Sequence, residues 1–154
     1  MSRYAYAFRL EDEDGETFFR FARFPEIISS IDTRRFSSLG REAVDAHAHD
    51  AVITALQAII TLREDVPGSD DPSVVRSDGF VLLSVREAMK MELYRLYRAN
   101  CKSVAEFARH LRKRETAARR LLDLRHPSKA SELEAAIKSF GKRLAHTWQL
   151  ETAA

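Results

Sequence analysis

Apolar positions alternate with a period of two in the N-terminal part of the chain and recur with a helical period after about residue 86. Tyr4, Tyr6, Phe8 and Leu10 fall on one side of an extended segment, with Ala5, Ala7 and Arg9 on the other, the pattern of a half-buried strand. The acidic EDEDGE that follows contains Asp14-Gly15, a hairpin signal because glycine tolerates positive φ. Strand character resumes in TFFRFARF, residues 17–24, and stops at Pro25; residues 26–33, EIISSIDT, predict a third strand. Ser37 or Ser38 is placed to cap a long helix beginning near Leu39. Its apolar stripe runs through Val44, Ala48, Ala51/Val52, Ala55, Ile59 and Leu62, while Asp50, Thr54, Gln57, Thr61 and Glu64 share another face.

The loop DVPGSDDPSVV, rich in Pro, Gly and Asp, ends this helix. FVLLSV, residues 80–85, is a nearly continuous apolar run of strand length, which suits a strand covered on both sides or paired in parallel. From Arg86 onward the pattern is helical. Four helices are expected: 88–99, with Met89, Leu93, Leu96 and Tyr97 inward; 104–111, capped by Ser103; 115–124; and 132–140, opened by Ser131 and closed by Gly141. Residues 142–151 form a last strand or short helix, and Trp148 is a packing anchor or a dimer contact. The fold class is therefore α+β, with a β-β-β-α-β domain over residues 1–85 and an all-helical domain over 86–154.

Charge sharpens this division. The 154 residues carry a net +2, yet residues 1–85 hold 9 Lys/Arg against 15 Asp/Glu, whereas residues 86–154 hold 16 against 8. An acidic half favours a basic protein and a basic half favours a polyanion such as nucleic acid. No apolar run approaches the roughly 20 residues that cross a bilayer, and MSRYAYAFRLEDEDGE is too acidic for a secretory signal. Cys101 is the only cysteine, so no intrachain disulfide forms and a reducing cytoplasm is the expected compartment.

The basic charge concentrates in RHLRKRETAARRLLDLRH, residues 109–126, with seven Lys/Arg against Glu115 and Asp123. Two short helices joined by about three residues, within a set of four or five, are the organisation of a helix-turn-helix. Ala105, Ala108 and Leu111 are expected to pack the first helix against Ala118 and Leu121 of the second. Arg112 stands where such turns commonly hold glycine, and a left-handed conformation there costs a side chain on the order of 1 kcal/mol. Thr116, Ala117 and Arg119 occupy the positions that meet base edges, with Arg119 suited to a bidentate contact to guanine. Lys102, Lys113, Arg114, Arg120, Arg125 and Lys129 are candidates for phosphate contact. The plainer reading is a solvated basic helix face.

Other clusters carry less. In DAHAHD, residues 45–50, Asp45 and His49 share a helix face but His47 does not, so no metal ligand set converges. EDEDGE lacks the spacing of a calcium loop. Cys101 has no nearby His–acid partner and reads as a small core residue. No metal or other cofactor is expected.

Taken together, these motifs resemble the HicB family of type II antitoxins. DEDGETFFRFARFPE is similar to the family's acidic turn, aromatic strand and F-P-D-x-P pattern: Phe21, Phe24 and Pro25 match, while Ala22 stands for the usual Pro and Arg23 for the Asp. Asp32-Thr33 matches the D-T before the family's helix, with RRFSSLG as an insertion. VREAMKMELY, SVAEFARHL, LLDLRH, ELEAAI and GKRL carry the closer likeness. The resemblance implies a partial ribonuclease H-like N-terminal domain that binds a small HicA-type toxin, itself an mRNA-cleaving protein, with Phe21, Phe24 and Glu26 in the contact. It also implies a C-terminal domain that binds operator double-stranded DNA as a homodimer or homotetramer.

A nuclease of the ribonuclease H type needs carboxylates on strands to hold metal ions. YAYAFRL and FVLLSV have none, so the chain is not expected to be an enzyme. Two readings stay open: an antitoxin that also represses its own operon, and a stand-alone DNA-binding regulator whose N-terminal domain senses a ligand or dimerises.

Overall fold

The structure is a computed structural model that describes residues 4–145; the expected last element and Trp148 lie wholly or largely outside them. The chain divides into two compact units between Ala88 and Met89.

The first unit is a four-stranded antiparallel sheet of order β3-β2-β1-β4 with a long helix. β1 (Ala5–Glu13) and β2 (Glu16–Phe21) form a hairpin in which Glu13 pairs with Glu16. The two residues between them, Asp14 and Gly15, both have positive φ, 51° and 81°, as the tight turn matching the strand twist requires. The aromatic side chains Tyr4, Tyr6, Phe8, Phe19, Phe21 and Phe24 are all buried. Phe8 tilts against both Phe19 and Phe21, and Phe24 meets Tyr6 edge-on at 4.9 Å.

β2 ends three residues earlier than its composition predicts. Phe24 and Ile27 donate backbone hydrogen bonds to the carbonyls of Phe21 and Phe24, so the chain around Pro25 folds into consecutive turns. β3 is consequently only Ser30–Asp32. Asp32 then caps a short helix α1 (Thr33–Ser37), its carboxylate accepting from Arg34 and Arg35 N–H. Ser37 and Ser38 do not open the long helix as expected: their hydroxyls donate back to the Thr33 and Arg35 carbonyls and close α1. α2 (Arg41–Leu62) starts instead after Gly40.

α2 crosses the aromatic face of the sheet, where His47 packs 4.7 Å from the Phe19 ring. Its buried line is Val44, Ala48, Val52, Ile53, Leu56, Ile59 and Ile60. Ala51 and Ala55, expected in the stripe, are half-buried, and Leu62 is exposed. β4 (Gly79–Leu82) is not a parallel strand, nor covered on both sides: it pairs antiparallel with β1 at the sheet edge. Loop 63–78 turns the chain before it re-enters the sheet, and Leu82 is left 57% exposed.

That loop also completes β1. β2 stops opposite Phe8, leaving the backbone of Ala5 and Ala7 without a strand on that side. Ser69 Oγ accepts from Ala5 N–H, Asp70 N–H donates to the Ala5 carbonyl, and buried Asp70 Oδ2 accepts from Ala7 N–H at 2.9 Å. The other Asp70 oxygen receives Arg23 Nε at 2.8 Å. Asp70→Ala leaves the buried Ala7 N–H without this acceptor, so a loss of about 2–3 kcal/mol is expected in urea unfolding. Asp70→Asn, which keeps an acceptor, should lose less.

The second unit holds α3 (Val85–Asn100, which begins in the first), α4 (Val104–His110), α5 (Glu115–Leu122) and α6 (Ala130–Ser139). Its core joins Met89, Met91, Leu93, Tyr94, Tyr97, Phe107, Leu121, Leu122, Leu133 and Ile137. Rings continue it: Tyr97 lies 4.9 Å from Phe107, which stacks on Phe140. Cys101 is buried among these helices. α6 begins at Ala130, with Glu132 reaching back to the Lys129 N–H rather than Ser131 acting as cap. Gly141, with φ 70°, closes it as expected.

Candidate nucleic-acid interface

Ser103 starts α4 by accepting from Glu106 N–H, and Glu106 Oε2 accepts from the N–H of Lys102, just before the cap. The helix ends in a Schellman turn: Lys113 N–H reaches the Ala108 carbonyl and Arg112 N–H that of Arg109. This geometry puts the residue after the cap in the left-handed region, and Arg112 has φ 53°. The strain expected from sequence is therefore present. Arg112→Gly should stabilise the protein by about 1 kcal/mol, read from the urea midpoint.

α4 and α5 pack through Phe107, Ala108, Ala118 and Leu121, all buried, with Leu111 half-buried. Ala105 is exposed and takes no part; Phe107, which the small-residue spacing overlooked, fills the crossing instead. On α5 the buried residues Ala118, Leu121 and Leu122 define the inner side. Thr116, Arg119 and Arg120 are exposed on the other side and Ala117 is half-buried at its margin, as spacings of three and four on one helix require.

Lys102, Lys113, Arg114 and Arg125 are likewise exposed, with Arg114 in the N-cap position of α5. Arg119 pairs with Glu115 one turn earlier at 3.5 Å, both side chains more than half exposed. Such a pair contributes a few tenths of a kcal/mol, too little to hold Arg119 from a stronger anionic partner. The unit thus presents a rigid two-helix corner whose outward side chains are predominantly cationic.

One residue that fixes this corner was not visible as such in the sequence. Lys90 on α3 is fully buried. Its ammonium donates to the carbonyls of Arg120, Asp123 and His126, clamping the end of α5 and the turn that follows. The Asp123 carboxylate accepts from Arg125 N–H and tightens the same turn. The signal was there: Lys90 stands four residues before Tyr94 and seven before Tyr97, on the inner stripe of α3.

In the acidic unit, Phe21 and Phe24 are buried side chains that border a surface hollow with Pro25 and Ile27, and Glu26 beside them is exposed. Arg23, standing for the acid of the F-P-D-x-P pattern, is tied to Asp70 and the Ser69 carbonyl. The two histidines of DAHAHD diverge, His47 to Ser29 Oγ at 2.8 Å and His49 to Glu87 at 3.0 Å. Among the described residues no three His, Cys, Asp or Glu side chains are grouped to hold a metal ion. None of the described helices is long and apolar enough to cross a membrane.

Fold and site together define an α+β protein in which a curled antiparallel sheet with its crossing helix is followed by a helix-turn-helix with a basic outer side. No protein-family model matches the chain. It is 30% identical over 141 residues to Antitoxin HicB of Pseudomonas fluorescens (strain Pf0-1), a match covering 92% of this chain and 91% of that protein. The chain belongs to the HicB antitoxin family and is an antitoxin by that kinship.

Proposed function

We propose that the protein neutralises a small HicA-type mRNA-cleaving toxin through its acidic unit, residues 1–85, and represses its own operon by holding operator DNA with its basic unit, residues 86–154. The observation that carries this reading is the family match, which spans both units at nearly full length. Charge supports it, since an acidic surface attracts a basic toxin and a cationic helical corner attracts phosphate. The protein acts by binding rather than catalysis, in the cytoplasm, where mRNA and operator both lie. It does so as a homodimer or homotetramer, because two half-sites call for two copies of the reading helix.

In this reading α5 enters the major groove with Thr116, Ala117 and Arg119 toward base edges. Lys102, Lys113, Arg114, Arg120 and Arg125 lie along the phosphates. The test is fluorescence anisotropy on a labelled duplex from just upstream of the gene, against a scrambled duplex. Arg119→Ala is expected to weaken the upstream duplex by about 5- to 150-fold, the worth of one bidentate contact to guanine, and to leave the scrambled duplex nearly unchanged. Equal binding of both duplexes by the unmodified protein would reduce the basic corner to a generic anion surface. The second reading, a regulator whose acidic unit only dimerises or senses a ligand, would be favoured if no small basic protein is encoded beside the gene.

A further inference from the structure

α2 carries more apolar surface than the sheet beneath it covers. Its line Val52, Ile53, Leu56 and Ile60 is buried, yet a second line, Ala51, Ala55, Ala58 and Leu62, faces a groove of about 420 Å³. The opposite wall is the irregular segment before β3, with Ile27 and Ile28. Ile28 is 87% exposed and Leu62 66% exposed. They are two of the few large apolar side chains among the described residues that stand in solvent, and they border the same groove. An exposed apolar patch of this kind, rimmed by polar groups, marks a site of association.

The rim says what kind of partner fits. Glu26 and Glu64 stand at the groove, both exposed, and its lining includes no Lys or Arg. The line from Ala51 to Leu62 is about 16 Å long at the helical rise, enough for a short segment of another protein. We infer that this groove is where the toxin docks: it receives an apolar segment flanked by Lys or Arg, the apolar side chains seated between Ile28 and Leu62 and the cations at Glu26 and Glu64. This inference rests on the toxin-binding reading above and gives that reading a place. It keeps Glu26 in the contact and adds the apolar residues of the groove beside it.

The test is isothermal titration calorimetry of the full chain with the small basic protein encoded beside its gene. Ile28→Ser and Leu62→Ser should each weaken the complex about tenfold, and together about 100-fold, as loss of one and two buried aliphatic side chains implies. Glu26→Lys should also weaken it, and the loss should shrink as salt rises. All three sites are exposed, so melting temperatures should stay at the unmodified value. Leu82→Ser, on the exposed edge strand, is the control and should bind normally. Full-strength binding by the Ile28/Leu62 double variant overturns the inference, as does a change in sedimentation of the free protein with toxin affinity intact, which would make the groove a contact between copies. If the unmodified chain binds no toxin at all, the proposed function itself fails.

Discussion

Lys90→Met should destabilise the C-terminal unit by about 3 kcal/mol and lower its melting temperature by roughly 12–24 °C. Methionine is one atom shorter, keeps most of the apolar stem and donates nothing. The carbonyls of Arg120, Asp123 and His126 would then lose a charged donor in a place where little water reaches. Each carbonyl keeps a second donor, Ser128 Oγ for Arg120, His126 N–H for Asp123 and Ser128 N–H for His126, so the loss is that of the charge-assisted bonds, about 1.5–3 kcal/mol for one such bond. Replacing a whole buried ion pair by apolar groups is often harmless, but here the acceptors are main chain and cannot be replaced. Thermal unfolding followed by circular dichroism checks the value. A loss below about 1 kcal/mol would mean that the end of α5 is held by its other hydrogen bonds and apolar contacts, with little from Lys90.

The second large effect is on operator binding through salt. Five phosphate contacts from one protomer, by Lys102, Lys113, Arg114, Arg120 and Arg125, give a slope near −4.5 of log affinity against log salt. Between 50 and 200 mM salt, affinity should therefore fall about 500-fold, and the slope doubles if two protomers sit on symmetric half-sites. Arg120→Ala should reduce the slope by about one per protomer and weaken all sequences alike, in contrast to Arg119→Ala. A shallow slope shared by both duplexes would indicate that few of these side chains reach the backbone.

Most of the helical unit was legible because its signals are local. Ser103 caps α4, Gly141 closes α6, and the strain at Arg112 follows from the turn that the helix lengths demand. The hairpin was legible for the same reason, through Asp14-Gly15. What escaped depended on partners distant in sequence. β4 looked like a strand covered on both sides or paired in parallel because FVLLSV is apolar throughout, but where a strand sits in a sheet is set by the path of loop 63–78. The short β3 escaped because turns at Phe24 and Ile27 use residues that would otherwise extend it. Asp70 and Lys90 escaped because packing buries each charge against distant backbone, Asp70 accepting from Ala7 N–H and Lys90 donating to three carbonyls. In the candidate sites, exposure separated Glu26 from Phe21 and Phe24, a distinction that an aromatic motif in a sequence does not carry.

The most direct test of the central claim is an RNA-cleavage assay with the small basic protein encoded beside the gene, titrated with this chain. The account predicts that cleavage stops near stoichiometric addition. It also predicts that Arg119→Ala, impaired on operator DNA, neutralises as well as the unmodified protein. Undiminished cleavage in the presence of excess, folded protein would contradict the account and leave a DNA-binding regulator without toxin-neutralising activity.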